Sequence, residues 1–167
     1  MNYFKHELSI VEIGSSIGSG TKIWVNAQVR SGANIGKDCI ISKDTFIDSQ
    51  VIIGNRCKIQ NGVSIYNGVN VSSDVFIGPN VTFTNDKVPR AFNNEWKIHE
   101  TKIMKGASIG ANSTILCGLV VGEYAMIAAG SVVTKNVEAY SLVMGNPARH
   151  YSYVDKEGNK IKGKPYA

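Results

Sequence analysis

The sequence lacks the features of a secreted or membrane-spanning protein. Its three cysteines, Cys39, Cys57 and Cys117, form no CxxC pair, and its first residues show no basic start followed by an apolar run, as a signal peptide would. No apolar stretch approaches the roughly 18 uninterrupted residues of a membrane helix. These absences predict a cytoplasmic protein with no membrane partner.

The charge balance points to an anionic partner without identifying it. The 167 residues carry a formal net charge of +5, with a sequence pI of about 9.1. Such an excess suits a phosphate-rich cofactor and could equally serve nucleic acid. The length fits a single domain over residues 1–167.

Aliphatic residues recur every six positions through much of the chain. Two positions before each stands a small or branched residue, which puts both on one face of a short strand. Pairs such as Asn61-Gly62 follow and tolerate the positive φ of a tight bend. The aliphatic series is Val11, Ile17, Ile23, Val29, Ile35, Ile41, Ile47, Ile53, Ile59, Ile65, Val71, Ile77 and Phe83.

A fixed period of six favours a β-solenoid over two other structures. Asn-Gly between apolar runs is also a hairpin signal, but hairpin strands of two or three residues would be too short to stand. An amphipathic helix would repeat near 3.6 residues. Three units of six make one triangular coil, and coils stack as parallel strands about 4.8 Å apart. Cys39 and Cys57, one coil apart in the inward column, are therefore interpreted as packed thiols rather than a redox pair.

The rhythm stops after Phe83 and resumes at Ile103. We therefore assign coils to 11–83 and 103–136, an extruded loop to 84–102, and a C-terminal cap and tail to 137–167. A long loop that interrupts a regular scaffold is usually functional.

The motifs around this loop resemble those of a known family. FTND at 83–86, Pro89-Arg90, Trp96, KGASIGANSTILCG and LVMGNPAR together look like the nucleotide-sugar N-acetyltransferases of the hexapeptide-repeat acyltransferase family. The resemblance implies an all-β fold, a left-handed parallel β-helix with one extruded loop and a short C-terminal cap. It also implies a homotrimer with active sites between subunits.

The activity implied by the resemblance is transfer of an acetyl group from acetyl-CoA, without a metal and without a nucleic-acid partner. The acceptor is the amino group of a dTDP- or UDP-linked amino-deoxy sugar, commonly the 3-amino group, in surface polysaccharide biosynthesis. Asn85 is then the hydrogen-bond acceptor that orients the amine. Asp86 is either a base or a loop cap, and both interpretations stay open.

Ligand contacts are also carried over from the resemblance. Tyr66, Asn67 and Thr84 are expected near the sugar, with Arg90 at the diphosphate. Small side chains at the coil corners let CoA approach the backbone, and cationic side chains bind its phosphates. The expected CoA contacts are Ala111, Ala129, Gly130, Lys135 and Arg149.

Two other functions remain open. One is an O-acetyltransferase in which His99 deprotonates a hydroxyl, since a hydroxyl needs a base. The other is a non-catalytic β-solenoid scaffold. The histidines His6, His99 and His150 have no spacing that suggests a shared metal, and no metal is expected.

Overall fold

The computed structural model describes residues 2–95 and 97–165, so Trp96 lies outside the described residues. Short strands stack in register on three sheets, and the chain visits sheets A, B and C in turn. Within the described ranges there is no helix that could span a membrane. The predicted all-β parallel β-helix is confirmed.

Sheet A has ten strands and continues into the C-terminal cap. Its strands are β1 (Phe4–Lys5), β4 (Lys22–Ile23), β7 (Ile40–Ile41), β10 (Lys58–Ile59), β13 (Phe76–Ile77), β16 (Ser108–Ile109), β19 (Met126–Ile127), β21 (Ser141–Gly145), β22 (Ala148–Val154) and β23 (Lys160–Ile161). The last three strands, β21 to β23, pair antiparallel, whereas all earlier neighbours are parallel.

Sheets B and C form the other two faces. Sheet B has β2 (Ile10–Val11), β5 (Gln28–Val29), β8 (Phe46–Ile47), β11 (Ser64–Ile65), β14 (Thr82–Phe83), β17 (Thr114–Ile115) and β20 (Val132–Val133). Sheet C has β3 (Ser16–Ile17), β6 (Asn34–Ile35), β9 (Ile52–Ile53), β12 (Val69–Val71), β15 (Thr101–Ile103) and β18 (Val120–Val121).

The sixfold column of aliphatic residues fills the prism. Its members from Ile23 to Phe83 and from Ile103 to Val133 are buried, while Val11 and Ile17, near the open N-terminal end, are half-buried. Fully burying one such side chain contributes about 1.5–3 kcal/mol. The repeated column is therefore the main source of stability.

Small polar residues are tolerated in the core because they bond to the next coil. The Thr21 hydroxyl donates to the carbonyl of Gly36 at 2.8 Å and accepts from the amide of Cys39 at 3.0 Å. Cys39 and Cys57 are fully buried free thiols, and each thiol lies 3.1 Å from a corner carbonyl oxygen. Their packed position agrees with the sequence interpretation.

Glycine is found near the coil corners for two different structural reasons. A residue with positive φ occurs every sixth position from Gly14 to Asn80, and again from Gly106 to Gly130. The glycine directly after the aliphatic residue has another cause: a Cβ on Gly78 would lie 2.7 Å from the backbone nitrogen of Ala111. Here the adjacent coil leaves no room for a side chain.

The coils extend beyond the limits that the sequence pattern indicates. Strand β1 pairs with β4, so the first coil begins before residue 11. Strand β15 begins at Thr101, which pairs with Val69 and is 1% exposed. Two residues assigned to the loop therefore belong to the coil, and the extruded segment is 84–100.

Candidate active site

The loop leaves the coil at the corner between sheets B and C, and both of its ends are fixed. At the start, the amide of Thr84 donates to the carbonyl of Ile115 at 3.0 Å, and its hydroxyl oxygen accepts from the amide of Cys117 at 3.0 Å. At the end, the hydroxyl oxygen of Thr101 accepts from the amide of Gly118 at 3.1 Å. Both ends of the loop are therefore hydrogen-bonded to the next coil.

Asn85 and Asp86 follow the first anchor, and both are half-buried. One carboxylate oxygen of Asp86 accepts from the amide of Val88 at 2.9 Å, which bends the chain into the loop. The side-chain amide of Asn85 has no hydrogen-bond partner within 2–95 and 97–165. Asp86 thus has an observed loop-capping contact, while Asn85 keeps its polar atoms available for a ligand.

A cleft of about 410 Å³ opens between the loop and the following coils. Its walls combine polar groups at the loop base with apolar side chains from two later corners. They are Thr84, Asp86, Lys87, Pro89, Leu116, Cys117, Leu119 and Thr134. Arg90 does not line this cleft; it is exposed and donates to the carbonyl of Pro89 at 2.7 Å.

Lys87 is a cleft residue that the sequence interpretation missed. Its Cε and Nζ lie 3.5 Å from the point that a Cβ on Gly118 would occupy, and the Cβ of His99 lies 3.3 Å from the same point. The two ends of the loop therefore meet over Gly118. The position of Lys87 directly after the FTND motif is the sequence feature that could have indicated it.

Tyr66 and Asn67 lie on the N-terminal side of the loop. Strands β11 and β14 pair at Ser64 and Thr82, so Tyr66 precedes Thr84 by one coil. The Tyr66 ring packs against Phe46 with centroids 5.8 Å apart. Both side chains are half-buried beside the point where the loop departs.

The corner between sheets A and B carries Ala111, Ala129 and Gly130. Gly130 donates its amide to the carbonyl of Ala111 at 2.8 Å, and nothing lies within 4 Å of a Cβ built on Gly130. Beside this corner, on sheet A, runs an apolar groove of about 430 Å³. Its walls are Phe76, Ser108, Ile109, Gly110, Met126, Ile127, Ala128, Ala129, Leu142 and Met144.

Sheet B separates these two corners within one chain. Asn85 lies at the edge of sheet B next to sheet C, whereas Ala111 and Ala129 lie at its other edge. The predicted catalytic and cofactor residues are therefore not brought together in a single chain.

The two cationic residues predicted to contact CoA lie at the C-terminal end of the coils. Lys135 and Arg149 both line a pocket of about 230 Å³ that opens over the last coil. In the described part of the chain, no group of three or more His, Cys, Asp or Glu residues could hold a metal ion.

Comparison with known families identifies the repeat. Residues 35–67 match the hexapeptide repeat of succinyl-transferase, and residues 100–135 match the bacterial transferase hexapeptide (six repeats). Both segments coincide with coils of the structure. The predicted resemblance to the hexapeptide-repeat transferases is confirmed.

A curated relative shares part of the chain. The dTDP-3-amino-3,6-dideoxy-alpha-D-galactopyranose 3-N-acetyltransferase of Aneurinibacillus thermoaerophilus is 55% identical over 62 residues. That segment is 37% of this chain and 32% of the relative. The chain thus matches about a third of the relative's length.

Two solved structures share the fold. An N-acyltransferase from Bacillus cereus, in complex with dTDP-4-amino-4,6-dideoxyglucose and coenzyme A, superposes with a TM-score of 0.76 at 21% identity, covering 84% of both chains. A GDP-perosamine N-acetyltransferase from Caulobacter crescentus, with CoA and GDP-perosamine, gives 0.58 at 17% identity, covering 88% of this chain and 55% of that one.

Proposed function

We propose that this chain is an acetyl-CoA-dependent N-acetyltransferase of nucleotide-linked amino-deoxy sugars, acting on the 3-amino group in the cytoplasm during surface polysaccharide biosynthesis. The observation that carries the proposal is Asn85, which follows the anchored Thr84 at the loop base and whose side-chain amide has no hydrogen-bond partner among the described residues. The partial match to a 3-amino sugar acetyltransferase supports the choice of acceptor.

The chemistry needs positioning more than activation. The neutral amine attacks the thioester carbonyl carbon, the C–S bond breaks, and the departing CoA sulfur takes the proton that the new amide nitrogen releases. The Asn85 carbonyl oxygen accepts a hydrogen bond from the amine and so aims its lone pair at the thioester. Fixing two reactants in this way supplies several kcal/mol of the barrier, with an upper range of about 7–11 kcal/mol.

The active site is completed by a second copy of the chain in a homotrimer. The outward residues of sheet B are uncharged in every strand, whereas sheet A carries Lys22 and Lys58 and sheet C carries Lys102. The sheet B residues are Ile10, Gln28, Phe46, Ser64, Thr82, Thr114 and Val132. A threefold arrangement with sheet B inward brings the Asn85 corner of one subunit beside the Ala111 and Ala129 corner of its neighbour.

In that arrangement acetyl-CoA runs along the later coils. Ala111, Ala129 and Gly130 let the cofactor approach the backbone, the apolar groove takes its pantetheine arm, and Lys135 and Arg149 meet its phosphates. The nucleotide sugar lies on the other side of the loop, by Tyr66, Asn67 and Thr84, with Arg90 reaching the diphosphate.

The test is release of free CoA thiol from acetyl-CoA in the presence of UDP- and dTDP-linked 3-amino and 4-amino sugars. We expect turnover with a 3-amino sugar and little with its 3-hydroxy counterpart. Turnover of none of the panel would contradict the proposal and favour a scaffold.

A second candidate is O-acetylation with His99 as the base. It is favoured by one observation: His99 is half-buried at the loop base beside Lys87 rather than free in solvent. If His99→Ala abolishes thiol release with a hydroxyl acceptor while Asn85→Ala does not, this function replaces the first.

A further inference from the structure

The cleft beside the extruded loop is larger than an acetyl group requires. Its volume is about 410 Å³, whereas a methyl group needs on the order of 30 Å³, the share of one water molecule in the liquid. Its apolar walls are Pro89 of the loop and Leu116, Cys117 and Leu119 of the next coil. We propose that this cleft holds the acyl group of the donor, that it accepts propionyl and butyryl as well as acetyl, and that Cys117 limits the chain length.

Cys117 lies next to the reacting position. Phe83 pairs with Ile115 between β14 and β17, so Asn85 and Cys117, each two residues further on, are one coil apart. The spacing between coils is about 4.8 Å. The amide of Cys117 donates to the hydroxyl oxygen of Thr84 at 3.0 Å, which ties this wall of the cleft to the loop base. A group that reacts beside Asn85 is therefore about one coil spacing from Cys117.

The direction of the acyl chain rests on the proposed function. The thioester carbonyl carbon, which carries the sulfur, the oxygen and the acyl chain, must come within about 3–3.5 Å of the amine. In the proposed arrangement the sugar lies by Tyr66 and Asn67, on the N-terminal side of Asn85. CoA runs along the neighbouring subunit's corner, at Ala111 and Ala129. The space left for the acyl chain is the cleft between the loop and the following coil.

Cys117 forms the bottom of the cleft rather than its rim. It is 3% exposed although it lines the cleft, whereas Leu116 beside it is 36% exposed. A free thiol behaves as a small hydrophobic group, so the bottom suits the terminal methyl of an alkyl chain. A larger side chain at this position would fill the inner end of the cleft and leave room for acetyl only.

Rates with donors of different length test the pocket in the wild-type protein. Thiol release is measured with one amino sugar and with acetyl-, propionyl- and butyryl-CoA. Each methylene that leaves water tightens binding roughly fourfold, so kcat/KM for butyryl-CoA should at least equal that for acetyl-CoA. In a pocket of acetyl size, each extra methylene would cost about tenfold or more. Such a loss, with acetyl-CoA still used, would overturn the inference and leave the proposed function intact.

Substitutions at Cys117 test its role through the butyryl-to-acetyl ratio of kcat/KM, in which effects common to both donors cancel. Cys117→Leu should lower this ratio about tenfold or more. Cys117→Ala removes bulk and should extend the range to hexanoyl-CoA. Val120→Leu, on the outer face of sheet C, is the matched enlargement outside the cleft and should keep the wild-type ratio. Wild-type behaviour in both Cys117 variants would contradict the role of Cys117.

Calorimetric titration with S-ethyl-CoA and S-butyl-CoA tests the pocket without turnover. The two added methylenes should tighten binding by the wild type about tenfold, and Cys117→Leu but not Val120→Leu should lose this difference. Equal binding of both thioethers by the wild type would contradict the acyl pocket even if acetyl transfer occurs. Tighter binding of S-butyl-CoA without transfer to any amino sugar would support the pocket and contradict the proposed acceptor instead.

Discussion

The hydroxyl oxygens of Thr84 and Thr101 accept hydrogen bonds from two consecutive amides, those of Cys117 and Gly118, at 3.0 and 3.1 Å. Thr84 is the first residue of the extruded loop, and Thr101 is the first residue of the coil that resumes after it. The loop is therefore fastened at both ends to the same corner of the next coil.

Replacing either threonine by valine is expected to destabilise the protein. The substitution preserves shape but leaves a part-buried amide of Cys117 or Gly118 without its acceptor, which costs about 1–3 kcal/mol. Urea unfolding measures the change. Thr84→Ser and Thr101→Ser retain the acceptor and should lose less than the valine variants; an equal loss would show that the hydrogen bond is not the cause.

Asn85→Ala is expected to lower kcat/KM for an amino-sugar acceptor about 10²-fold, the loss that a misplaced reactant causes. The unfolding free energy should stay within about 0.5 kcal/mol of wild type, because the amide makes no hydrogen bond that the substitution would break. Asn34→Ala, at an exposed position on sheet C, is the control for asparagine loss. Full activity in Asn85→Ala would remove Asn85 from the mechanism.

Gly118→Ala is expected to loosen the loop. Gly118 has a φ of +80°, and a Cβ there would lie 3.3 Å from the Cβ of His99, closer than an ordinary contact, while only touching Lys87 at 3.5 Å. Backbone strain of about 1–2 kcal/mol and a small displacement of His99 therefore act together. Limited trypsin digestion at Lys87, Arg90 and Lys97 should become faster.

The matched control for this change is Gly163→Ala. Gly163 has a φ of +78° and nothing within 4 Å of its added Cβ. In the Gly163→Ala variant, trypsin should cleave the extruded loop at the wild-type rate. If both variants accelerate loop cleavage equally, contact with Lys87 and His99 does not hold the loop.

Asp74→Asn is expected to destabilise the protein slightly, and only above acidic pH. The hydrogen bond from Arg56 lowers the pKa of Asp74, so its contribution is present above the unfolded-state pKa of about 3.9 and disappears as pH falls through the lower folded value. Asparagine tolerates the positive φ at this position equally well. Unfolding free energies at pH 7 and pH 3 should show the difference shrinking at pH 3.

Thr114→Glu is expected to break the proposed trimer. The side chain lies on the sixth of the seven strands of the uncharged face of sheet B, where burying an unpaired carboxylate in the proposed trimer is unfavourable. Light scattering should give the 18.1 kDa of a single chain, with loss of acetyl transfer. Asn34→Glu on sheet C should leave the assembly intact, and an active monomer would contradict the shared site.

The sequence predicts the coils well because the signal is repeated. Each aliphatic residue of the column has the same environment, so Ile23 and Ile127 support the same conclusion a hundred residues apart. The residues at which the coils begin and resume were harder to predict. Strand β1 has Lys5 where the column calls for an aliphatic residue, because the terminal turn is exposed. Thr101 fills the small-residue column, as Thr21 and Thr45 do, although nothing in its local sequence marks it as a strand residue.

The site was predicted only where it belongs to the repeat or to a motif. Asn85 and Ala129 lie at coil corners, whose positions can be counted along the six-residue repeat. The pocket lined by Lys135 and Arg149 depends instead on the antiparallel turn of β21 into β22, for which the repeat gives no rule. Lys87 reaches Gly118 through the path of the loop, which the spacing of motifs does not define.

The stacking of coils also fixes the distance between two sites along the solenoid axis. The loop leaves the coil that contains β14, the end pocket opens beyond β20, and each step between them is about 4.8 Å. The span between the two sites is thus set in whole steps, by the number of 18-residue turns rather than by any side chain. Excising one 18-residue turn would bring the two sites closer by one coil spacing. A ligand that occupies both sites would then have to be shorter by about 4.8 Å.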